Sequence, residues 1–163
     1  MSGKVKELLE DERVKVLMSI MGDRYLYDIV CALRGPDIKN AVFAKEVLTK
    51  TIRGIAMYPD EVEDVVKVHM DPGDVELLLM ELGELKGDFA HYFTHINDAF
   101  HALHRLGIID DDTFKYINTV LTAVDEAFQE LEDTGEISDN TIDELVEEVE
   151  KAFEKWVEVK GIE

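Results

Sequence analysis

Apolar residues recur three and four positions apart along most of this chain, and that spacing constrains the fold more than any other feature. It is the spacing of one face of an α-helix, whereas a half-buried strand would alternate every two residues. No convincing alternating segment occurs in the 163 residues. The sequence therefore predicts an all-α fold.

Glycine, proline and aspartate divide the periodic sequence into helices. Aspartates that can cap helix starts are Asp37, Asp71, and either Asp111 or Asp112. Glycines expected to end helices are Gly107, Gly135 and Gly161. Gly87 and Asp88 predict that one helix ends and another begins there, with a single bent helix over 74–106 as the alternative.

The segment 24–34 differs from the rest, because apolar side chains surround its helical axis. A helix that is apolar on all sides is normally buried. A chain of this length is expected to form one domain with one core. We therefore predict a single domain over residues 1–163, an irregular or orthogonal bundle of six to eight helices around the buried helix at 24–34.

The formal net charge is −20. Such an excess of carboxylates argues against direct binding to a nucleic-acid backbone and against attraction to anionic membranes. No apolar run approaches the roughly 18 residues of a membrane span. The N-terminus is polar and lacks the apolar run of a signal peptide, so we expect a cytoplasmic protein.

One sizeable segment, 24–54, carries a net positive charge. We call its candidate contact residues the basic island: Arg34, Lys39, Lys50 and Arg53. A helix start flanked by Arg and Lys is suited to a phosphate or a carboxylate. The alternatives are that Asp37 already occupies that helix start, that Glu46 pairs with Lys50, or that the island faces the acidic C-terminal helix within the chain or across a dimer.

The richest group of metal-capable side chains lies between Gly87 and Arg105. Asp88, His91, His95 and Asp98 are spaced by three, four and three, so they form one stripe on a helix. Two imidazoles four residues apart, with a flanking carboxylate, can bind zinc or another divalent ion if further ligands come from elsewhere. The alternative is that Asp88 caps a helix and the other side chains are solvated.

Glu81 and Glu84 form a second candidate for a divalent ion. They resemble the Glu-x-x-Glu half of the signature with which all-α nucleotide pyrophosphohydrolases of the MazG type hold magnesium. The resemblance covers eight residues. The second half, Glu-x-x-Asp, is not at the short distance typical of that family, and the nearest downstream match is Glu130 with Asp133.

These features favour a non-enzymatic helical protein with a regulatory, adaptor or assembly role. We expect it to bind a protein partner or to form a homo-oligomer through the basic island, with no firm cofactor. The alternative is a metal-dependent hydrolase that uses the carboxylates and histidines of residues 81–98. A third possibility is an acidic mimic of nucleic acid that uses the carboxylates of the last two helices.

Overall fold

The computed structural model of the protein describes residues 47–48, 50–52, 54–55, 58–105 and 107–162, without the side chains of 84–92 and 95. Regular structure within these ranges is entirely helical, which confirms the all-α prediction. The helix at 24–34 and the cap at Asp37 lie outside the described residues. The bundle of six to eight helices therefore stays a prediction.

Helical residues within 47–55 come first in the described chain, followed by a 3₁₀ turn at Pro59–Glu61. Four α-helices then follow in order: α1 (Val62–His69), α2 (Pro72–Arg105), α3 (Asp111–Thr134) and α4 (Asp139–Lys160). None of the helices in the described ranges combines the length and the apolarity needed to cross a bilayer.

The predicted break at Gly87 and Asp88 is wrong, because α2 continues through both positions. The alternative of one helix over 74–106 agrees with the backbone as far as Arg105. Glycine inside a helix costs only about 1 kcal/mol relative to alanine. The helical spacing of apolar residues continues on both sides of Gly87, so one glycine is too weak a signal to end this helix.

Asp110 caps the start of α3, so the prediction of Asp111 or Asp112 is off by one or two positions. Asp110 has an extended backbone, and its Oδ1 accepts a hydrogen bond from the Thr113 N–H over 2.8 Å. A capping residue needs this non-helical backbone so that its side chain can reach an N–H three residues ahead. Asp111 and Asp112 already belong to the first helical turn.

The other predicted helix ends agree with the structure. Asp71 Oδ1 accepts a hydrogen bond from the Asp74 N–H over 2.8 Å at the start of α2. Gly107, Gly135 and Gly161 have φ values of 77°, 86° and 68°. These values lie in the left-handed region that follows many helices and that glycine enters without strain.

The buried apolar side chains form one cluster that extends from Val47 to Trp156. Within it α2, α3 and α4 each pack against the other two. The helical residues of 47–55 also reach this core, because Leu48 and Ile55 are fully buried. On α3 and α4 the buried side chains recur at the three- and four-residue spacing of one helical face.

Candidate functional site

A surface cleft of about 260 Å³ runs between α3 and α4. We call it the α3–α4 cleft. Its lining positions follow helical spacing on each of the two helices, so each helix contributes one side. The lining residues are Asp112, Lys115, Tyr116, Thr119, Ala152, Lys155, Trp156 and Val159.

Two buried aromatic rings form the floor of the α3–α4 cleft. The rings of Tyr116 and Trp156 stack with centroids 5.2 Å apart and planes within 6° of each other. The Tyr116 hydroxyl donates a hydrogen bond to the main-chain oxygen of Met70, and Trp156 Nε1 donates one to Thr113 Oγ1 over 3.1 Å. Burial, aided by the negative charge of Asp71, raises the pKa of Tyr116 and keeps its hydroxyl protonated. Both rings are therefore held in place by a hydrogen bond at their polar end.

Lys160, the last residue of α4, connects this helix to α1 and to the start of α3. Its Nζ lies 2.8 Å from Glu63 Oε1 on α1 and also contacts Oδ2 of Asp110. Hydrogen bonds to Asp110 and Glu63 raise the pKa of Lys160. At Asp110 partial burial disfavours the charged form, but hydrogen bonds from Lys160 and Thr113 outweigh it and lower the pKa of the carboxyl. The two groups are thus oppositely charged at neutral pH.

The rim of the α3–α4 cleft carries two lysines and one aspartate. Lys115 and Lys155 are exposed, and neither forms an ion pair within the described part of the chain. By contrast, Lys151 on α4 has its Nζ 3.2 Å from Glu147 Oε1. With Asp112, the formal charge of the lining is +1, in a protein whose net charge is −20. The arrangement suits an anion.

A histidine pair lies at the end of α2, against α3. His104 Nε2 is 2.8 Å from Asp111 Oδ1, and its ring stacks on Phe114 with centroids 4.1 Å apart. His101 meets the same phenyl ring edge-on at 5.0 Å. The Asp111 side chain is 98% exposed, so water competes for this contact. We interpret the pair as an interhelical contact that helps to hold α2 against α3.

Of the basic island, only Lys50 lies among the described residues. It is exposed on a helical turn whose neighbours Val47, Leu48, Thr51 and Ile52 are buried. Thr51 Oγ1 donates a hydrogen bond back to the main-chain oxygen of Val47 over 2.7 Å, which satisfies this buried hydroxyl. Arg34, Lys39 and Arg53 lie outside the described residues.

The predicted metal ligands share one unbroken helix. Asp88, His91, His95 and Asp98 all belong to α2. Asp88 is therefore in a helix interior and is not a cap, which overturns the alternative interpretation of that residue. Asp98 is half-buried, and the other three side chains lie outside the description. The described side chains contain no group of three or more His, Cys, Asp or Glu that could hold a metal ion.

Glu130 and Asp133 are the nearest match to the second half of the MazG-type signature, and Glu130 contacts the turn between α3 and α4. Glu130 accepts hydrogen bonds from the N–H and the Oγ of Ser138, both over 3.2 Å. Asp133 accepts a hydrogen bond from Gln129 over 3.3 Å. Glu81 is half-buried, and the Glu84 side chain is not described. Glu130 thus has a structural role in joining α3 to α4, whereas the contact of Asp133 lies within α3.

The sequence did not reveal the α3–α4 cleft. Lys115 with Thr119 and Lys155 with Val159 are each four residues apart, but this spacing is common on exposed helix faces. The stronger signal was the single tryptophan, Trp156, which directly follows Lys155 in the last helix.

The chain matches no protein-family model, no curated protein and no solved structure.

Proposed function

We propose that the protein is a non-enzymatic helical binding protein with a regulatory, adaptor or assembly role. In this proposal its basic island contacts acidic groups of a partner. The observation that carries the proposal is the exposure of Lys50 on a turn whose other described side chains are buried. The buried neighbours fix the backbone of this turn, so the turn presents the charge of Lys50 outward at low cost in backbone entropy.

We propose a second copy of the chain as the partner. The exposed side of α4 is rich in carboxylates and offers a surface of opposite charge: Asp143, Glu144, Glu147, Glu148, Glu150, Glu154 and Glu158. Opposite charges across an interface set its register and its rate of association more than its affinity. Salt should therefore weaken such a contact strongly.

Sedimentation of the full chain at low and high sodium chloride tests this proposal. We expect an oligomer at low salt that dissociates as the salt concentration rises. Replacement of Lys50 and Arg53 by glutamate should shift the low-salt protein toward the monomer, whereas Arg105→Glu, at the exposed end of α2, should not. A wild-type chain that stays monomeric at high protein concentration and low salt would contradict the proposal.

The runner-up function is that of a metal-dependent hydrolase. The continuity of α2 favours it, because Asp88, His91, His95 and Asp98 then fall on one helical stripe. Metal analysis of protein purified without an affinity tag, combined with melting curves with and without a chelator, tests it. Bound metal and a lower melting temperature in chelator would support the hydrolase, and the absence of both would remove it.

A further inference from the structure

We propose that the α3–α4 cleft binds a small organic carboxylate, an anion with a single negative charge on a compact apolar body. This site is separate from the basic island, and the inference does not depend on the proposed oligomer. Three properties of the cleft support it: the charge of its rim, the character of its walls and its size.

The charge of the rim selects an anion with one negative charge. Lys115 and Lys155 supply ammonium groups from opposite helices, and neither has an ion pair within the described residues. An ammonium and a carboxylate form charge-assisted hydrogen bonds, which are about twice as strong as neutral ones. Asp112 on the same rim would repel a second negative charge, so the lining is matched to a monoanion and poorly matched to a phosphate dianion.

The walls of the cleft suit an apolar body. Ala152 is half-buried, and Val159 is 56% exposed although it is a large apolar side chain on a helix. The hydrocarbon stems of the two lysines add further apolar surface on the way to their charged ends. The Thr119 hydroxyl already donates to the main-chain oxygen of Lys115 over 3.1 Å, which leaves the ammonium groups as the donors for a carboxylate.

The size of the cleft limits the ligand. At about 260 Å³ it lies just below the roughly 300–1,000 Å³ typical of sites for drug-sized molecules. A single aromatic ring or a short aliphatic chain with one carboxylate matches this volume. Benzoate is accordingly a suitable probe, and benzamide is its neutral counterpart of nearly the same shape.

Trp156 provides a fluorescence signal from this site, because it is the only tryptophan in the sequence and forms part of the floor of the cleft. We would titrate the full chain with benzoate and follow tryptophan emission, with thermal melting as a second readout. A ligand that binds only the folded state raises the melting temperature with its concentration. We expect a saturable change in emission with benzoate and no such change with benzamide.

Variants identify the groups responsible. The double variant Lys115→Gln/Lys155→Gln should weaken benzoate binding by up to about thirtyfold, since two exposed ion pairs of up to about 1 kcal/mol each are lost. Lys151→Gln is the matched control, because this exposed lysine of α4 pairs with Glu147 and lies outside the cleft. Val159→Glu provides a second test: the new carboxylate on an exposed wall should also abolish binding, and a cooperative melting transition of the free variant shows that the fold is retained.

Several outcomes would overturn the proposal. These are the absence of a saturable response to benzoate, equal binding of benzamide, unchanged affinity in both the double variant and Val159→Glu, or stronger binding of inorganic phosphate than of benzoate. Benzoate binding and the oligomeric state at low salt are measured in separate experiments. The absence of benzoate binding would therefore leave the proposed function standing, and a monomeric chain would leave the proposed carboxylate site standing.

Discussion

Gly54 lies where the helical residues of 47–55 approach α1. A Cβ atom at this position would stand 2.6 Å from Val65 Cγ1, well inside normal van der Waals contact. Val65 is β-branched, so its χ1 rotamer has little freedom to move the methyl group away. The absence of a side chain at Gly54 therefore sets how closely these two elements can pack.

We expect Gly54→Ala and Gly83→Ala to change stability in opposite directions. Gly54→Ala should lower the free energy of unfolding by about 1–3 kcal/mol, because it overpacks the contact with Val65. A Cβ atom at Gly83, in α2, would have no neighbour within 4 Å. Gly83→Ala should therefore raise the free energy of unfolding by about 0.5–1 kcal/mol through better helix propensity. Urea unfolding of the two variants measures both effects, and an equal stabilisation by both would refute the close contact.

At the scale of elements, Asp110 has two functions at once. Its Oδ1 caps α3 by accepting a hydrogen bond from the Thr113 N–H, while its Oδ2 contacts the Nζ of Lys160 at the end of α4. Lys160 also reaches Glu63 on α1. One carboxylate thus stabilises a helix start and connects it to the end of another helix.

Substitutions at Asp110 should separate the two functions. Asn can still cap a helix, so Asp110→Asn should remove only the charge, whereas Asp110→Ala should cost about 1 kcal/mol more through the lost cap. The pKa of Asp110 is lowered in the folded protein. Its charge therefore contributes stability above the unfolded-state pKa of about 3.9, and this contribution is lost as the pH falls through the folded-state pKa.

Urea unfolding at a series of pH values measures this dependence. The difference in unfolding free energy between wild type and Asp110→Asn should be greatest near neutral pH and should shrink below about pH 4. Asp143→Asn, an exposed carboxylate on α4, is the control and should show little difference at any pH. A difference for Asp110→Asn that is constant over the whole range would mean that the charge of Asp110 is not involved.

Local signals predicted the helices better than they predicted the site. The ends of α3 and α4 depend on capping side chains and left-handed glycines, whose geometry is set within a few residues. The continuity of α2 through Gly87 was missed because a glycine within a helix costs only about 1 kcal/mol, which is too little to end a helix whose apolar spacing continues on both sides. The α3–α4 cleft depends on which faces of two helices meet. It brings Lys115 and Lys155, which are 40 positions apart in the sequence, to the rim of one cleft.

At the scale of the whole molecule, the net charge of −20 opposes compaction. At protein concentrations low enough to keep the chain monomeric, we expect the melting temperature to rise from low salt to about 0.5 M sodium chloride, because added salt screens the repulsion among carboxylates and the Debye length is only about 10 Å at about 0.1 M. The double variant Asp125→Lys/Glu126→Lys replaces two exposed carboxylates of α3, outside the proposed partner surface, and makes the formal charge four units less negative. This double variant should melt higher than wild type at low salt and respond less to added salt.

Scanning calorimetry measures both effects. A wild-type melting temperature that falls or stays constant as salt is added would show that attractive ion pairs outweigh the repulsion among carboxylates.

The length of α2 also determines how the protein tumbles in solution. Its 34 residues span about 51 Å at 1.5 Å per residue. A compact chain of 163 residues has a radius of gyration of about 15 Å, which corresponds to a sphere about 40 Å across. The described part of the chain therefore extends further along α2 than such a sphere is wide. We expect anisotropic rotational diffusion, which NMR relaxation measures: the N–H bonds of α2, which lie along the helix axis, should relax at a different rate from N–H bonds that lie across it.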